Sequence, residues 1–86
     1  MAERTARRAV RVSYFALLRD ETGCDEEQVA TASATAGELY AELQERYRLS
    51  LPRERLRVAI NATFADWDTA LADGDLVVFI PPVAGG

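Results

Sequence analysis

The feature that most restricts the fold of this chain is the apolar run at residues 76–80, which is followed by two prolines. Five apolar residues in succession are typical of a central strand covered on both faces, or of a strand that leaves one face for a partner. The preceding Asp73-Gly74-Asp75 favours a tight turn. Pro81 ends the strand because proline has no backbone N–H to donate to a sheet. The run therefore predicts a sheet built around a strand late in the sequence.

The length and charge of the chain limit what it can do alone. Its 86 residues form one domain with one modest core, because a domain of this size buries only roughly 60–65% of its unfolded surface. We therefore expect any chemistry to take place at an edge of the domain or in a partner. The net charge is −4, which argues against a nucleic-acid surface. No apolar run approaches the roughly 18 residues of a membrane span, so we expect no membrane partner.

The chain lacks histidine and has one cysteine, Cys24. This excludes Ser-His and Cys-His nucleophiles as well as a Cys/His zinc site. A lone cysteine cannot form an intramolecular disulfide and suits a reducing compartment. We therefore expect a cytoplasmic protein with no metal site and no active site of its own.

The first half of the sequence predicts two strands and a helix. Alternation in residues 9–16 turns Val10, Val12 and Tyr14 to one face of a strand and Phe15 to the other. Residues 16–23 are predicted to be a polar connection with room for one helical turn, and residues 26–31 a short charged edge strand. A capping box at residues 35–38 and apolar residues at 39, 43 and 47 predict a helix over residues 36–47.

The second half predicts the remaining strands and the fold class. Residues 56–61 alternate like a strand, and residues 61–64 are predicted to be a turn into a brief fourth strand. With one helix crossing the sheet, the first and last strands can pair in parallel at its centre. We therefore predict an α+β fold, the β-grasp (ubiquitin-like) class, with a mixed sheet of four to five strands crossed by one main helix. Residues 1–9 are expected to be a disordered Arg-rich lead-in, residues 10–80 the domain and residues 81–86 an extended tail.

The tail, Pro-Pro-Val-Ala-Gly-Gly, has the properties of a segment that enters the active site of another protein. Glycine has no Cβ, so a Gly-Gly end can pass through a narrow channel and carry its carboxylate into another protein. The prolines stiffen the base of the tail, and six extended residues span about 20 Å. A frayed terminus is the alternative.

From Val10 to Gly86 the chain resembles a known family, the molybdopterin synthase small subunits, which are the MoaD group of ubiquitin-like sulfur carriers. The resemblance is carried by the capped helix and by four motifs: Tyr14-Phe15-Ala16 with Leu18, Arg19 and Gly23; Val58-Ala59-Ile60-Asn61; Leu71-Ala72-Asp73-Gly74-Asp75; and Phe79-Ile80-Pro81-Pro82-Val83-Ala84-Gly85-Gly86. The departures are an N-terminal extension of about nine residues, Cys24 and Trp67. The Arg-rich extension is not explained by the family.

The resemblance implies a reaction at Gly86. A ubiquitin-activating-type adenylating enzyme would use ATP to convert the Gly86 carboxylate into an acyl-adenylate, and a sulfur donor enzyme would supply the sulfur that replaces AMP. The thiocarboxylate would then donate sulfur to a pterin precursor within the large subunit of molybdopterin synthase, in a heterotetramer. The chain itself would bind no cofactor and would be the sulfur-carrying subunit of a sulfurtransferase.

The resemblance also implies contact residues. Phe15, Phe64 and Ile80 match positions that the family uses against the large subunit, and Arg19 matches a position near the activating enzyme. The tail residues that would enter a partner are Pro81, Pro82, Val83, Ala84 and Gly85. Burial in the core is the alternative for the three apolar residues, and a solvated side chain is the alternative for Arg19.

Three other functions stay open on the sequence. Related sulfur carriers serve thiazole or cysteine biosynthesis with the same fold and terminus. A ubiquitin-like modifier would join its terminus to lysines of target proteins. A passive β-grasp adaptor would leave the tail unused.

Overall fold

A computed structural model describes residues 7–82 of the chain. In chain order the elements are β1 (Arg8–Tyr14), α1 (Leu17–Thr22), β2 (Glu26–Thr31), α2 (Ala36–Tyr47), a 3-10 turn (Arg53–Arg55), β3 (Arg57–Ile60), β4 (Thr63–Ala65) and β5 (Leu76–Ile80). β1 thus begins inside the predicted lead-in. The remaining lead-in, residues 1–6, and residues 83–86 of the predicted tail lie outside the described residues.

The five strands form one mixed sheet in the order β2-β1-β5-β3-β4. The predicted parallel pairing of the first and last strands is confirmed, with Tyr14 opposite Phe79. β3 pairs antiparallel with the other side of β5, so β5 is the central strand. β2 lies at one edge of the sheet, as its charged sequence predicts. The β-grasp prediction is therefore confirmed in its topology.

The core lies between α2 and one face of the sheet. The predicted alternation of β1 is confirmed, because Val10, Val12 and Tyr14 are fully buried. Val77 and Phe79 of β5 are buried beside them. The residues of α2 buried with them are Ala36, Gly37, Leu39, Tyr40 and Leu43.

The capping box at the start of α2 is also confirmed. The Thr35 hydroxyl accepts a hydrogen bond from the Glu38 amide at 3.2 Å. The Glu38 carboxylate accepts one from the Ala34 amide at 2.8 Å, one residue before the cap. Both bonds satisfy amide groups that have no partner within the helix.

The connection after β1 contains more helix than the one turn for which the prediction left room. Residues 17–22 form the short helix α1. Leu18 is its one fully buried residue, and Gly23 ends it in the left-handed conformation. One buried leucine in six residues does not produce a recognisable helical period, so the sequence pattern indicated room for one turn and not the extent of this helix.

A hydrogen-bonded turn fixes where β5 begins. Asp75 is buried, and its carboxylate accepts hydrogen bonds from the Asn61 side chain and the Ala72 amide, each at 2.8 Å. Gly74 has a φ of 88°, which favours glycine. The predicted Asp-Gly-Asp turn is thus confirmed, and it sets the register of the strand that leads to the tail. Among residues 7–82, no helix is long and apolar enough to span a membrane.

Candidate functional site

The base of the tail follows β5, the central strand, which is paired on both sides. Phe79 of β5 pairs with Tyr14 on one side and with Val58 on the other. Ile80, the last residue of β5, pairs with Arg57. Pro81 and Pro82 follow it directly, with Pro81 half-buried and Pro82 exposed. The tail therefore leaves the domain from a fixed point at the end of its central strand.

The face of the sheet opposite α2 carries an apolar strip that no element of the described chain covers fully. On β5, Leu76 is 36% exposed, and Val78 and Ile80 are half-buried. Ala59 of β3 pairs with both Val78 and Phe64, which places the three side chains on this same face. Phe64 is 59% exposed. Of the two readings of the apolar run, the structure supports the strand with one face left uncovered.

Phe15 extends this strip beyond the end of β1. Its neighbour Tyr14 lies opposite Phe79 in the parallel pairing, so Phe15 follows β1 where Ile80 ends β5. Phe15 is 49% exposed, and Leu17 next to it is 42% exposed. We refer to the strip as the open face; it consists of Phe15, Ala59, Phe64, Leu76, Val78 and Ile80.

The structure thus brings Phe15, Phe64 and Ile80 to the open face and leaves none of them in the core. Sequence reasoning missed Leu76 and Val78, which belong to the same strip. The signal was available, because two residues of the same parity as Ile80 on a strand share its face.

Two charged groups flank the open face. The Arg57 guanidinium lies over the Phe64 ring, 4.1 Å from its centroid. Arg11 of β1 is ion-paired with Glu26 of β2. Sequence reasoning also missed Arg57, because its contact depends on the register of the β3–β4 hairpin.

Arg19 lies apart from this surface, on α1. Its side chain is exposed, and its Nε atom is 3.8 Å from the Asp25 carboxylate. An exposed pair at that distance contributes little to stability. The structure therefore leaves Arg19 available but does not join it to the open face.

One polar cluster of the described chain joins two tyrosine hydroxyls to a carboxylate. The Glu27 carboxylate accepts hydrogen bonds from the Tyr14 and Tyr47 hydroxyls, each at 2.7 Å. Burial, assisted by the Glu27 charge, raises the pKa of both tyrosines, so they stay protonated at neutral pH. Among residues 7–82, no group of three or more His, Cys, Asp or Glu side chains is arranged to hold a metal ion.

An open groove lies on the opposite side of the domain, beside α2. Trp67 and Arg53 line it, with the Arg53 guanidinium 5.9 Å from the centroid of the Trp67 ring. Trp67 is stacked on Phe79 at 6.0 Å between ring centroids. Trp67, a departure from the family motifs, is therefore part of the packing around the core.

Comparison with known proteins identifies the family. Residues 12–86 match the ThiS family. The chain belongs to the ThiS family. It is 38% identical over 80 residues to the molybdopterin synthase sulfur carrier subunit of Escherichia coli (strain K12), covering 90% of this chain and 99% of that protein. It is 43% identical over 82 residues to the subunit of the same name from Mycobacterium tuberculosis, covering 90% and 96%.

Solved structures show the same fold. A putative molybdopterin converting factor subunit 1 from Pyrococcus furiosus has a TM-score of 0.74 at 30% identity, covering 88% of this chain and 99% of that one. SAMP1 from Haloferax volcanii has a TM-score of 0.73 at 25% identity, covering 91% and 99%. A chain in the complex of subunits 1 and 2 of molybdopterin-converting factor from Helicobacter pylori has a TM-score of 0.62 at 32% identity, covering 91% and 99%. The β-grasp architecture of this family member is thereby confirmed.

Proposed function

We propose that this chain is a sulfur carrier for molybdopterin synthase, and that its reactive group is the carboxylate of Gly86. The observation that carries the proposal is the position of the tail base beside the open face. Ile80 lies on the open face and is followed directly by Pro81, so a protein that covers the open face would lie next to the point where the tail leaves the domain. The two relatives named as sulfur carrier subunits support the same function.

The first step is activation of the carboxylate. A carboxylate is a poor electrophile, so a ubiquitin-activating-type enzyme would join it to AMP from ATP, releasing pyrophosphate. A sulfur donor enzyme would then supply sulfur at the oxidation level of sulfide. The sulfur attacks the acyl carbon, a C–S bond forms, and the C–O bond to AMP breaks. The product is a thiocarboxylate on Gly86, and the ATP is bound by the activating enzyme.

The second step is transfer within the large subunit of the synthase. The thiocarboxylate sulfur would attack a carbon of the pterin precursor, where a C–S bond forms and a C–O bond breaks, and the acyl group is left as a thioester. Water would then attack the acyl carbon and break its C–S bond, so the sulfur stays on the pterin and the Gly86 carboxylate is restored. Tethering the sulfur to a docked domain gives it a high effective concentration at its target. The large subunit would supply the acid, base and pterin-binding groups, in a heterotetramer with this chain.

The open face, the tail and Arg19 are the proposed contacts with partner proteins. We assign Phe15, Phe64 and Ile80 to docking on the large subunit, because an exposed apolar strip of this kind is typical of an interaction site. Val83, Ala84 and Gly85 would line the path of the tail inside the partner. Arg19 would contact the activating enzyme, for which its exposed side chain and distant Asp25 partner leave it available.

The test is intact mass spectrometry of the chain ending at Gly86. After incubation with ATP, the activating enzyme and a sulfur donor, its mass should rise by the difference between one sulfur and one oxygen. The matched control lacks Gly86 and should unfold at the same temperature without gaining this mass. A sulfurated control, or an unchanged full-length chain, would contradict the proposal. Binding to the molybdopterin synthase large subunit then separates this pathway from thiazole or cysteine biosynthesis.

A protein modifier is the second candidate. The likeness to SAMP1, a small archaeal modifier protein, favours it. A modifier would form an amide between Gly86 and lysine side chains of other proteins. Incubation with ATP and a cell lysate would then yield higher-mass covalent adducts that resist thiol reagents, whereas a dedicated sulfur carrier would yield none.

A further inference from the structure

Arg57 connects the exposed ring of the open face to the base of the tail. Its guanidinium lies over Phe64 on β4, 4.1 Å from the ring centroid. In the other direction, Arg57 is the register partner of Ile80, the residue before the prolines. The positive charge therefore flanks the apolar strip, and it is carried by the strand that neighbours the last residue before the tail.

The charge of Arg57 has no carboxylate partner among residues 7–82. The ion pairs of the described chain join Arg11 to Glu26, Arg19 to Asp25 and Arg46 to Glu42. The Arg11–Glu26 pair lies on the same face of the sheet, so its charge is already balanced. Within the part of the chain that the structure describes, Arg57 is thus a cation beside the open face without a carboxylate partner.

A protein that covers Phe64 must also cover the guanidinium stacked on it. Burying a guanidinium without acceptors is costly, because its charge and its five N–H donors lose their water. A carboxylate relieves this cost best, since its two oxygens match the planar fork of arginine. The stacking on Phe64 holds the fork in place before docking, which reduces the side-chain entropy lost on binding.

We propose that Arg57 selects the docking partner by pairing with an aspartate or glutamate on the partner's surface, next to the opening that receives the tail. The partner chemistry is thus an apolar surface with one carboxylate placed beside it. A partner with a hydrophobic or basic group at that point would leave the guanidinium unpaired and would bind weakly. This inference rests on the proposed function, because the partner it describes is the one that receives the tail.

The experiment measures the affinity of the chain for the molybdopterin synthase large subunit of the same organism by isothermal titration calorimetry. Arg57→Gln should weaken binding at least about 30-fold, since removing one member of a buried charge pair costs about 2 kcal/mol or more. Arg57→Glu should weaken binding further by repulsion. Arg57→Lys keeps the charge but not the planar fork, so its affinity should lie between those of the wild type and Arg57→Gln. Arg48→Gln is the matched control, because Arg48 is exposed at the end of α2; it should bind like the wild type.

The partner carries the second half of the test. Its Asp and Glu residues would be neutralised one at a time, and one change should remove the effect of Arg57→Gln in a double-mutant cycle. Normal binding by Arg57→Glu, or a loss with Arg57→Gln that couples to no partner carboxylate, would overturn the inference. If the wild-type chain itself fails to bind the large subunit, the proposed function fails instead. Melting temperatures of the variants confirm that each binding loss occurs in a folded protein.

Discussion

At the scale of single residues, Phe64 combines high exposure with a place in the proposed interface, on the edge strand β4. Its ring is 59% exposed and packs against Arg57. Phe64→Glu should therefore cost the isolated domain little, and the new carboxylate can pair with Arg57. In the complex the same charge enters an apolar contact, and we expect a loss of at least about 2 kcal/mol of binding free energy. Titration with the large subunit measures this loss.

The control for this prediction is Phe64→Leu, which keeps an apolar side chain and should retain most of the affinity. Thermal unfolding of both variants separates docking from folding. If Phe64→Glu unfolds the isolated domain, Phe64 stabilises the core and the assignment of the open face is wrong.

The raised pKa of Tyr40 predicts how the stability of the domain changes with pH. Its hydroxyl donates to the Leu51 carbonyl at 2.5 Å, and burial, with a smaller effect of the Glu21 charge, raises its pKa from 10.0 to about 12. The folded state therefore holds this proton more tightly than the unfolded state. The resulting stability is complete below pH 10 and is lost as the pH rises from 10 to 12.

Tyr40→Phe tests this linkage. At pH 7 the variant should be about 1 kcal/mol less stable, because it loses the hydrogen bond to Leu51. At pH 11 the free energy of unfolding of the wild type has fallen by about 1 kcal/mol through ionisation of Tyr40, which the variant lacks. The stability difference between wild type and variant should therefore shrink towards zero. Urea unfolding at the two pH values measures it. A difference that stays constant with pH would show that the Tyr40 pKa is not raised.

The single residues also show how far sequence reasoning reaches. Strand parity indicated that Phe15 turns away from the core, and the structure confirms its exposure. Parity could not indicate Arg57, since its contact with Phe64 joins two strands whose register becomes known only once the hairpin is built. Contacts within one strand are therefore predictable, and contacts across strands require the pairing.

At the scale of elements, the β3–β4 hairpin carries backbone strain. Asn61 and Ala62 form its two-residue loop, closed by the pairing of Ile60 with Thr63, and both have positive φ, 53° and 72°. Such loops favour Asn-Gly, because both central residues adopt positive φ. Asn61 tolerates this conformation, whereas the Cβ of Ala62 makes it unfavourable.

Ala62→Gly should therefore stabilise the domain by about 0.5–1 kcal/mol, relief of strain exceeding the added entropy of the unfolded chain. Chemical denaturation measures the free energy of unfolding. Ala32→Gly is the control, since Ala32 is exposed in a loop and lacks positive φ; it should be neutral or destabilising. An Ala62→Gly variant less stable than the wild type would contradict the strained-loop interpretation.

The elements were predictable in proportion to their local signals. α2 has a capping box and an apolar period, and β5 has a run of five apolar residues, so both were found within their observed bounds. α1 is short and has one buried leucine, and its helical form depends on packing under the sheet rather than on a pattern. Tertiary packing thus decided the extent of α1, for which the sequence indicated no more than one helical turn.

At the scale of the whole molecule, the parallel pairing of β1 and β5 places the start of β1 away from the base of the tail. β1 begins where β5 begins, and the tail follows the far end of β5. Phe15, Ile80 and the tail base therefore share one end of the sheet, while Arg7 and Arg8 lie towards the other.

A substitution that widens the tail next to Gly86 tests the proposed function directly. Gly85→Val keeps the Gly86 carboxylate, the chain length and the prolines, but adds a branched Cβ one residue from the reacting carbon. A channel that admits one bare backbone has no space for it, and valine also restricts the φ and ψ values open to glycine. Transfer should fall at least tenfold if the misfit costs about 1.4 kcal/mol in the transition state, while folding stays unchanged.

The measurement is the steady-state rate of sulfur transfer by thiocarboxylated protein to the large subunit, with wild type and variant compared against the same partner. Gly85→Ala is the matched control and should fall less, because its single methyl group needs less space. A graded loss from glycine to alanine to valine indicates a steric limit at the partner's channel. Equal rates for all three would show that the partner does not read the width of the tail, and the proposed role of the diglycine would then fail even if the carrier chemistry holds.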